Sequence, residues 1–248
     1  MPAHAQTAVV TGASRGFGRA IAAALIAAGQ TVIGVARSQP DLQAVQDELG
    51  RRFVPVPGDA TSEGLATDVL GEYRPGLLVL NAGASPHLAA LPGQTWETFS
   101  RNWHTDTRQA FTWTREALRL PLPPGSVVVL ISSGAALAGS PLSGGYAGAK
   151  ATIRFIGGYA ADEGARAGLG LRFVTLLPKL TPATGLGAAA VAGYAARQGV
   201  AAEVYAKNLQ PLLSADQVAA AVLTVAGDPD SAPEYLVSGA GLRPVEQP

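Results

Sequence analysis

"TAVVTGASRGFG", from Thr7 to Gly18, decides the fold. Its first half is an apolar run of strand length. Its second half is a turn with glycines at 12, 16 and 18, and it opens into the apolar stretch "RAIAAALIAAG" (Arg19–Gly29). A strand that feeds a glycine turn and then a helix lets backbone come close to a bound group. The first N–H groups of the helix have no partner inside it, and they meet that group with the positive end of the helix dipole. The geometry suits a pyrophosphate. A plain strand-to-helix turn is the alternative, and the context of strand before and helix after favours the binding turn. The spacing is T-G-x-x-x-G-x-G, not the common G-x-G-x-x-G.

Working outward, six more apolar runs of strand length follow: Thr31–Ala36, Arg52–Gly58, Leu77–Gly83, Ser126–Ser132, Leu171–Pro178 and Glu234–Gly239. Several place β-branched residues on consecutive positions, as strands buried on both faces do. The segments between them are long enough for crossover helices. This alternation predicts one α/β domain over residues 1–248: a doubly wound, Rossmann-type parallel sheet of about seven strands with helices on both faces. The Pro- and Gly-rich stretches, such as "LPLPPGS" (Leu120–Ser126), are short and read as turns. The Ala- and Gly-rich segment at about 182–210 reads as a small helical lid over a substrate or as a plain surface helix.

Composition narrows the partners. Formal net charge is zero, which argues against a nucleic acid held through phosphate contacts. No cysteine is present, so disulfides and thiolate metal sites are excluded. His4, His87 and His104 lack metal-ligand spacing, so no metal is expected. The run that begins at Thr7 leaves no room for a signal peptide ahead of it, and no long uncharged apolar span reads as a membrane helix. A cytoplasmic protein with no membrane partner is the expectation.

"SSGAALAGSPLSGGYAGAK" (Ser132–Lys150) carries a tyrosine and a lysine four residues apart, on one helical face. Either they form an ordinary surface pair, or the lysine tunes the phenol. A free phenol ionises near ~10, and an adjacent ammonium favours the phenolate.

Together these motifs resemble the short-chain dehydrogenase/reductase family. That family carries T-G-x-x-x-G-x-G after its first strand, N-A-G after its fourth and Y-x-x-x-K after its fifth. The matching residues are "TGASRGFG" (Thr11–Gly18), "NAG" (Asn81–Gly83) and "YAGAK" (Tyr146–Lys150), with Ser133 at the expected thirteen residues before the tyrosine. The resemblance runs from about Thr7 to Gly239. It implies that Tyr146 exchanges a proton with a carbonyl or alcohol, that Lys150 supports it and holds ribose hydroxyls, and that Ser133 bonds the substrate oxygen. It implies a dinucleotide held by Gly12, Ser14, Arg15, Gly16, Phe17 and Gly18 of the first turn. Asp59 and Ala60 in "GDAT" would lie at the adenine, although Asp59 could instead cap the next helix. Asn81, Ala82 and Gly83 would steady the fourth strand and a ribose, and Pro178 and Thr181 would lie near the nicotinamide. The acid that NAD-preferring members usually carry at the end of the second strand is missing. Ala36 and Arg37 stand there, and with Arg15 they suit the 2′-phosphate of NADP(H) rather than NAD(H).

Three positions depart from the family, the slightest being Leu80, which stands before Asn81 where an asparagine is frequent. The family's relay asparagine falls, by register with Phe111, on Asp106, which could hold a water against Lys150 or be a surface carboxylate. After the sixth strand, "PKLTPATG" (Pro178–Gly185) puts Lys179 where a glycine is usual, and Thr181 and Thr184 compete for one role. Arg101, Arg108 and Arg115 recur every seven residues as a solvated or subunit-facing stripe. The resemblance implies a homodimer or homotetramer. The expected activity is NADP(H)-dependent interconversion of a carbonyl and an alcohol, with a neutral substrate favoured by a mostly apolar pocket. A dinucleotide-binding regulator or scaffold without turnover is the alternative. A cofactor-using dehydratase or epimerase is a third reading that no residue singles out.

Overall fold

The computed structural model describes residues 6–120 and 122–246; His4 and Pro121 lie outside them. In chain order the elements are β1 (Thr7–Thr11), α1 (Gly16–Ala27), β2 (Thr31–Ala36), α2 (Gln39–Leu49), β3 (Phe53–Pro57), α3 (Glu63–Tyr73) and β4 (Leu77–Leu80). Then come α4 (Trp96–Asn102), α5 (Arg108–Arg119), β5 (Val127–Ile131), α6 (Ala135–Ala138), α7 (Gly144–Arg166) and β6 (Arg172–Pro178). The chain closes with α8 (Gly185–Gln198), α9 (Ala202–Lys207), α10 (Ala215–Gly227), β7 (Glu234–Ser238) and β8 (Gly241–Pro244).

The strands form one sheet in the order β3-β2-β1-β4-β5-β6-β7-β8. Every pairing from β3 to β7 is parallel, and β7 with β8 is antiparallel. The consecutive apolar residues are explained by burial on both faces. Ala8 and Val10 face Ile21 and Leu25 of α1 and Val218 and Val222 of α10. Val9 between them faces the opposite core, which holds Val69 and Leu70 of α3, Trp113 of α5 and Ile153 of α7. The fold is therefore the expected doubly wound α/β sheet, with eight strands among the described residues in place of about seven. The extra strand, "GLRP", pairs Gly241 with Ser238 across a two-residue turn. It shows no period-two pattern and ends in proline, so only the turn residues announce it.

The order reverses between β1 and β4. In an open α/β sheet a crevice forms there, beyond the carboxyl ends of the strands. No helix among the described residues is long and apolar enough to cross a membrane.

Candidate active site

A cleft of about 1290 Å³ opens at this switch point. It is lined by the ends of β1 (Gly12), β2 (Ala36, Arg37), β4 (Asn81 to Gly83), β5 (Ser132, Ser133) and β6 (Pro178). Of the residues singled out in the sequence, Gly12, Ser14, Arg15, Gly16, Phe17, Arg37, Asp59, Ala60, Asn81, Ala82, Gly83, Asp106, Ser133, Tyr146, Lys150, Pro178 and Thr181 all line it. Gly18 does not face the cleft. A Cβ on it would lie 2.1 Å from Gly12 O, so its role is to let α1 approach the turn. Gly12 has φ +69, which a side chain would strain, and it lies against Ala82 at the end of β4.

Asn81 and Thr11 lock the turn to β4. Asn81 Nδ2 donates to Thr11 O at 3.0 Å, and Thr11 Oγ1 accepts the N–H groups of Asn81 and Ala82. Thr11 Oγ1 also lies 3.1 Å from Gln109 Oε1. Gln109, like His104, lines the cleft without having been expected there.

The start of α1 fits a diphosphate. Ser and Thr side chains cap α2, α3, α4, α8 and α10. No side chain caps α1, and its first turn holds no acid. The first N–H groups of α1 are left for an anion in the cleft, where Ser14 to Phe17 stand. Arg15 and Arg37 line the same end, and neither forms an ion pair among the described residues. Asp41, in the first turn of α2, also lines this end. The set suits an anionic dinucleotide.

Asp59 does not cap the next helix. Ser62 caps α3 by accepting Leu65 N–H. Asp59 instead accepts Thr61 N–H at 2.8 Å and the Thr61 hydroxyl at 2.9 Å. The Thr61 N–H draws its carboxyl below the ordinary value. Partial burial opposes this, and the Thr61 hydroxyl, Arg37 and Arg108 add to it.

At the other end of the cleft stands Lys150, buried in α7. Its ammonium donates to Ile131 O at 3.1 Å and pairs with Asp106 Oδ2 at 3.2 Å. It lies 5.6 Å from the centre of the Tyr146 ring. An ammonium has three N–H groups, so one is left for the cleft. Burial draws the Lys150 pKa down, but the Asp106 carboxylate and then the Tyr146 phenol raise it, and the net shift is upward. Asp106 is buried, not a surface carboxylate. It sits in a π-helical segment, Trp103–Thr107, that joins α4 to α5. Such a segment inserts one extra residue per turn and kinks the helix at functional sites. Asp106 Oδ1 accepts Ala84 N–H at 2.8 Å and the Asn102 amide at 3.2 Å, while Oδ2 meets Lys150 directly.

The two adjacent serines divide their work. Ser132 donates to Lys150 O at 2.7 Å, which fixes α7 on β5. Ser133 accepts Ala135 N–H at 3.2 Å, leaving its own O–H for a ligand in the cleft. After β6, Thr181 is buried and donates to Leu213 O, whereas Thr184 caps α8 and lies beside Gly16. His87 does not line the cleft, while Lys179 and Arg197 do. Arg115 of the arginine stripe is paired with Glu63 and Glu116. Arg101 and Arg108 are exposed.

Residues 6–195 match the sequence model of the short chain dehydrogenase family. The chain is 30% identical to an NADPH-dependent pterin aldehyde reductase of Arabidopsis thaliana, over 64% of this chain and 69% of that one. It is 32% identical to a serine 3-dehydrogenase of Agrobacterium fabrum, over 60% of this chain and 61% of the relative. A crystal structure of a short-chain dehydrogenase from Streptomyces avermitilis superposes with a TM-score of 0.76 at 28% identity, covering 94% of this chain and 87% of that one.

Proposed function

The chain belongs to the short-chain dehydrogenase/reductase family of oxidoreductases, and from that membership we propose that it is an NADP(H)-dependent enzyme interconverting a carbonyl and an alcohol. The observation that carries this reading is Lys150, buried between the Asp106 carboxylate and the Tyr146 ring, in the cleft that also holds Ser133. Bound NADP(H) supplies or accepts the hydride. Tyr146 gives its phenolic proton to the carbonyl oxygen in reduction and takes it back in oxidation. Lys150 stays charged beside it, steadies the phenolate that forms, and offers its third N–H to a ribose hydroxyl. Ser133 donates to the substrate oxygen as negative charge grows there. Asp106 holds the ammonium in place.

The open start of α1 would hold the pyrophosphate, with Gly12 and Gly16 giving close approach. Arg15 and Arg37 would take the 2′-phosphate, and the absence of an acid at the end of β2 supports NADP(H) over NAD(H). Asp59 and Ala60 would border the adenine, and Asn81 to Gly83, Pro178 and Thr181 the ribose and nicotinamide. The α8–α9 segment would cover the substrate. A homodimer or homotetramer is supported by exposed aromatics at Trp103, Phe111, Phe155 and Tyr159, the last two 72% and 61% exposed on α7.

The test is NADPH consumption by the purified protein over a panel of ketones and aldehydes. Consumption with a matching alcohol product is expected. NADPH that binds tightly but is never consumed would support a regulator instead.

A further inference from the structure

Ser143 stands at the N-cap of α7, the helix that carries Tyr146. A serine there usually accepts the N–H of the second or third helical residue. The third residue of α7 is Tyr146 itself. Yet the Ser143 hydroxyl makes no capping bond. Its backbone (φ −144, ψ 54) is held away from the extended geometry of the five capped helices, whose N-cap ψ angles run from 107 to 166.

The hydroxyl points elsewhere. Ser143 Oγ lies 2.6 Å from Ser140 Oγ, and Ser143 N–H donates to Ser140 Oγ at 3.1 Å. Ser140 Oγ is also bonded to the Tyr194 hydroxyl. A serine hydroxyl offers one donor and two acceptor sites, so these three partners saturate Ser140. The chain is therefore complete at Ser140, whichever way the two hydroxyl protons run. Tyr194 belongs to α8, whose Gly187, Ala190, Tyr194 and Arg197 recur at helical spacing and line the cleft. Its ring stacks on Tyr205 of α9 at 6.1 Å, so α9 is held to the same point.

We propose that Tyr194, Ser140 and Ser143 form a latch between the covering helices and the first turn of the catalytic helix. This rests on the reductase reading of Tyr146. With the latch made, Ser143 is diverted and Tyr146 N–H is left uncapped. With α8 lifted, Ser143 is free to rotate to the extended geometry and cap Tyr146 N–H. The position of α8 thus selects between two settings of the turn that carries Tyr146. Tyr194 is a positioning residue: it touches no reacting atom, and it sets Tyr146 only when the covering helices are down.

The test compares Tyr194→Phe, Ser140→Ala and the double variant. Each single variant is expected to lower kcat by roughly fivefold to tenfold, the loss of about one hydrogen bond. NADPH affinity and thermal midpoint should stay near wild type. The double variant should be no worse than either single one, because one chain is cut twice. Hydrogen exchange, read with NADPH present, should quicken in α8 and α9 and slow at Tyr146 N–H, which the freed Ser143 then caps. Multiplying losses, or wild-type exchange in those elements, would overturn the latch. If the wild type reduces no carbonyl, the reductase reading fails while exchange still decides the latch.

Discussion

At Lys150 three influences compete, and their order sets the pH behaviour. Burial lowers the pKa; the Asp106 carboxylate at 3.2 Å and the Tyr146 phenol raise it above the ordinary 10.5. Asp106→Asn keeps the hydrogen bond from Ala84 N–H but removes the main upward influence. Lys150 then loses its proton at lower pH. Reduction needs the charged lysine, so the alkaline limb of kcat/KM should move to lower pH. Stability follows the same sign. A raised folded pKa gives a contribution that is full below the ordinary value and is lost as pH climbs through the folded one. The loss should therefore begin earlier in the variant. An alkaline limb that coincides with wild type would contradict this role for Asp106. The register with Phe111 made Asp106 visible in the sequence, and the spacing of Ser133, Tyr146 and Lys150 made those visible. Gln109 and the Ser140–Tyr194 bond were not. Their partners lie many residues away in sequence, and no local pattern reports such a contact.

Elements were legible where one periodicity governs them. The parallel strands are consecutive apolar runs because both faces are buried, and the glycine turn carries its own spacing. The π-helical segment at Trp103–Thr107 was not legible as a break, since its composition matches the helices on either side. Strand β8 was missed because it is short, exposed and ends in proline. Asp59 kept two readings until the structure showed Ser62 as the cap of α3. Helix α7 buries Ile153 and Gly157 on one side and leaves Phe155 and Tyr159 exposed on the other. An aromatic pair of that exposure is a poor surface for an isolated chain and a suitable one for a second copy. On the proposed pairing, Phe155→Asp should lower the mass seen by light scattering to that of a single chain, with the fold retained by circular dichroism. A wild-type protein that runs as a single chain would contradict the pairing.

For the whole molecule, the sheet order brings the cleft together from segments that are far apart in sequence. The β1 turn gives an open helix start and Arg15, β2 gives Arg37, β4 gives the Asn81–Gly83 floor, and β5 with α7 gives Ser133, Tyr146 and Lys150. A mostly apolar pocket had favoured a neutral substrate, yet Lys179 and Arg197 also line the cleft. The most direct test of the account replaces one oxygen. Wild type and Tyr146→Phe are compared for NADPH-dependent reduction of the best carbonyl found, with NADPH affinity measured on both. A lost general acid should lower kcat by about 10²- to 10⁴-fold while NADPH still binds as in wild type. A Tyr146→Phe enzyme that reduces the carbonyl at the wild-type rate would contradict the account.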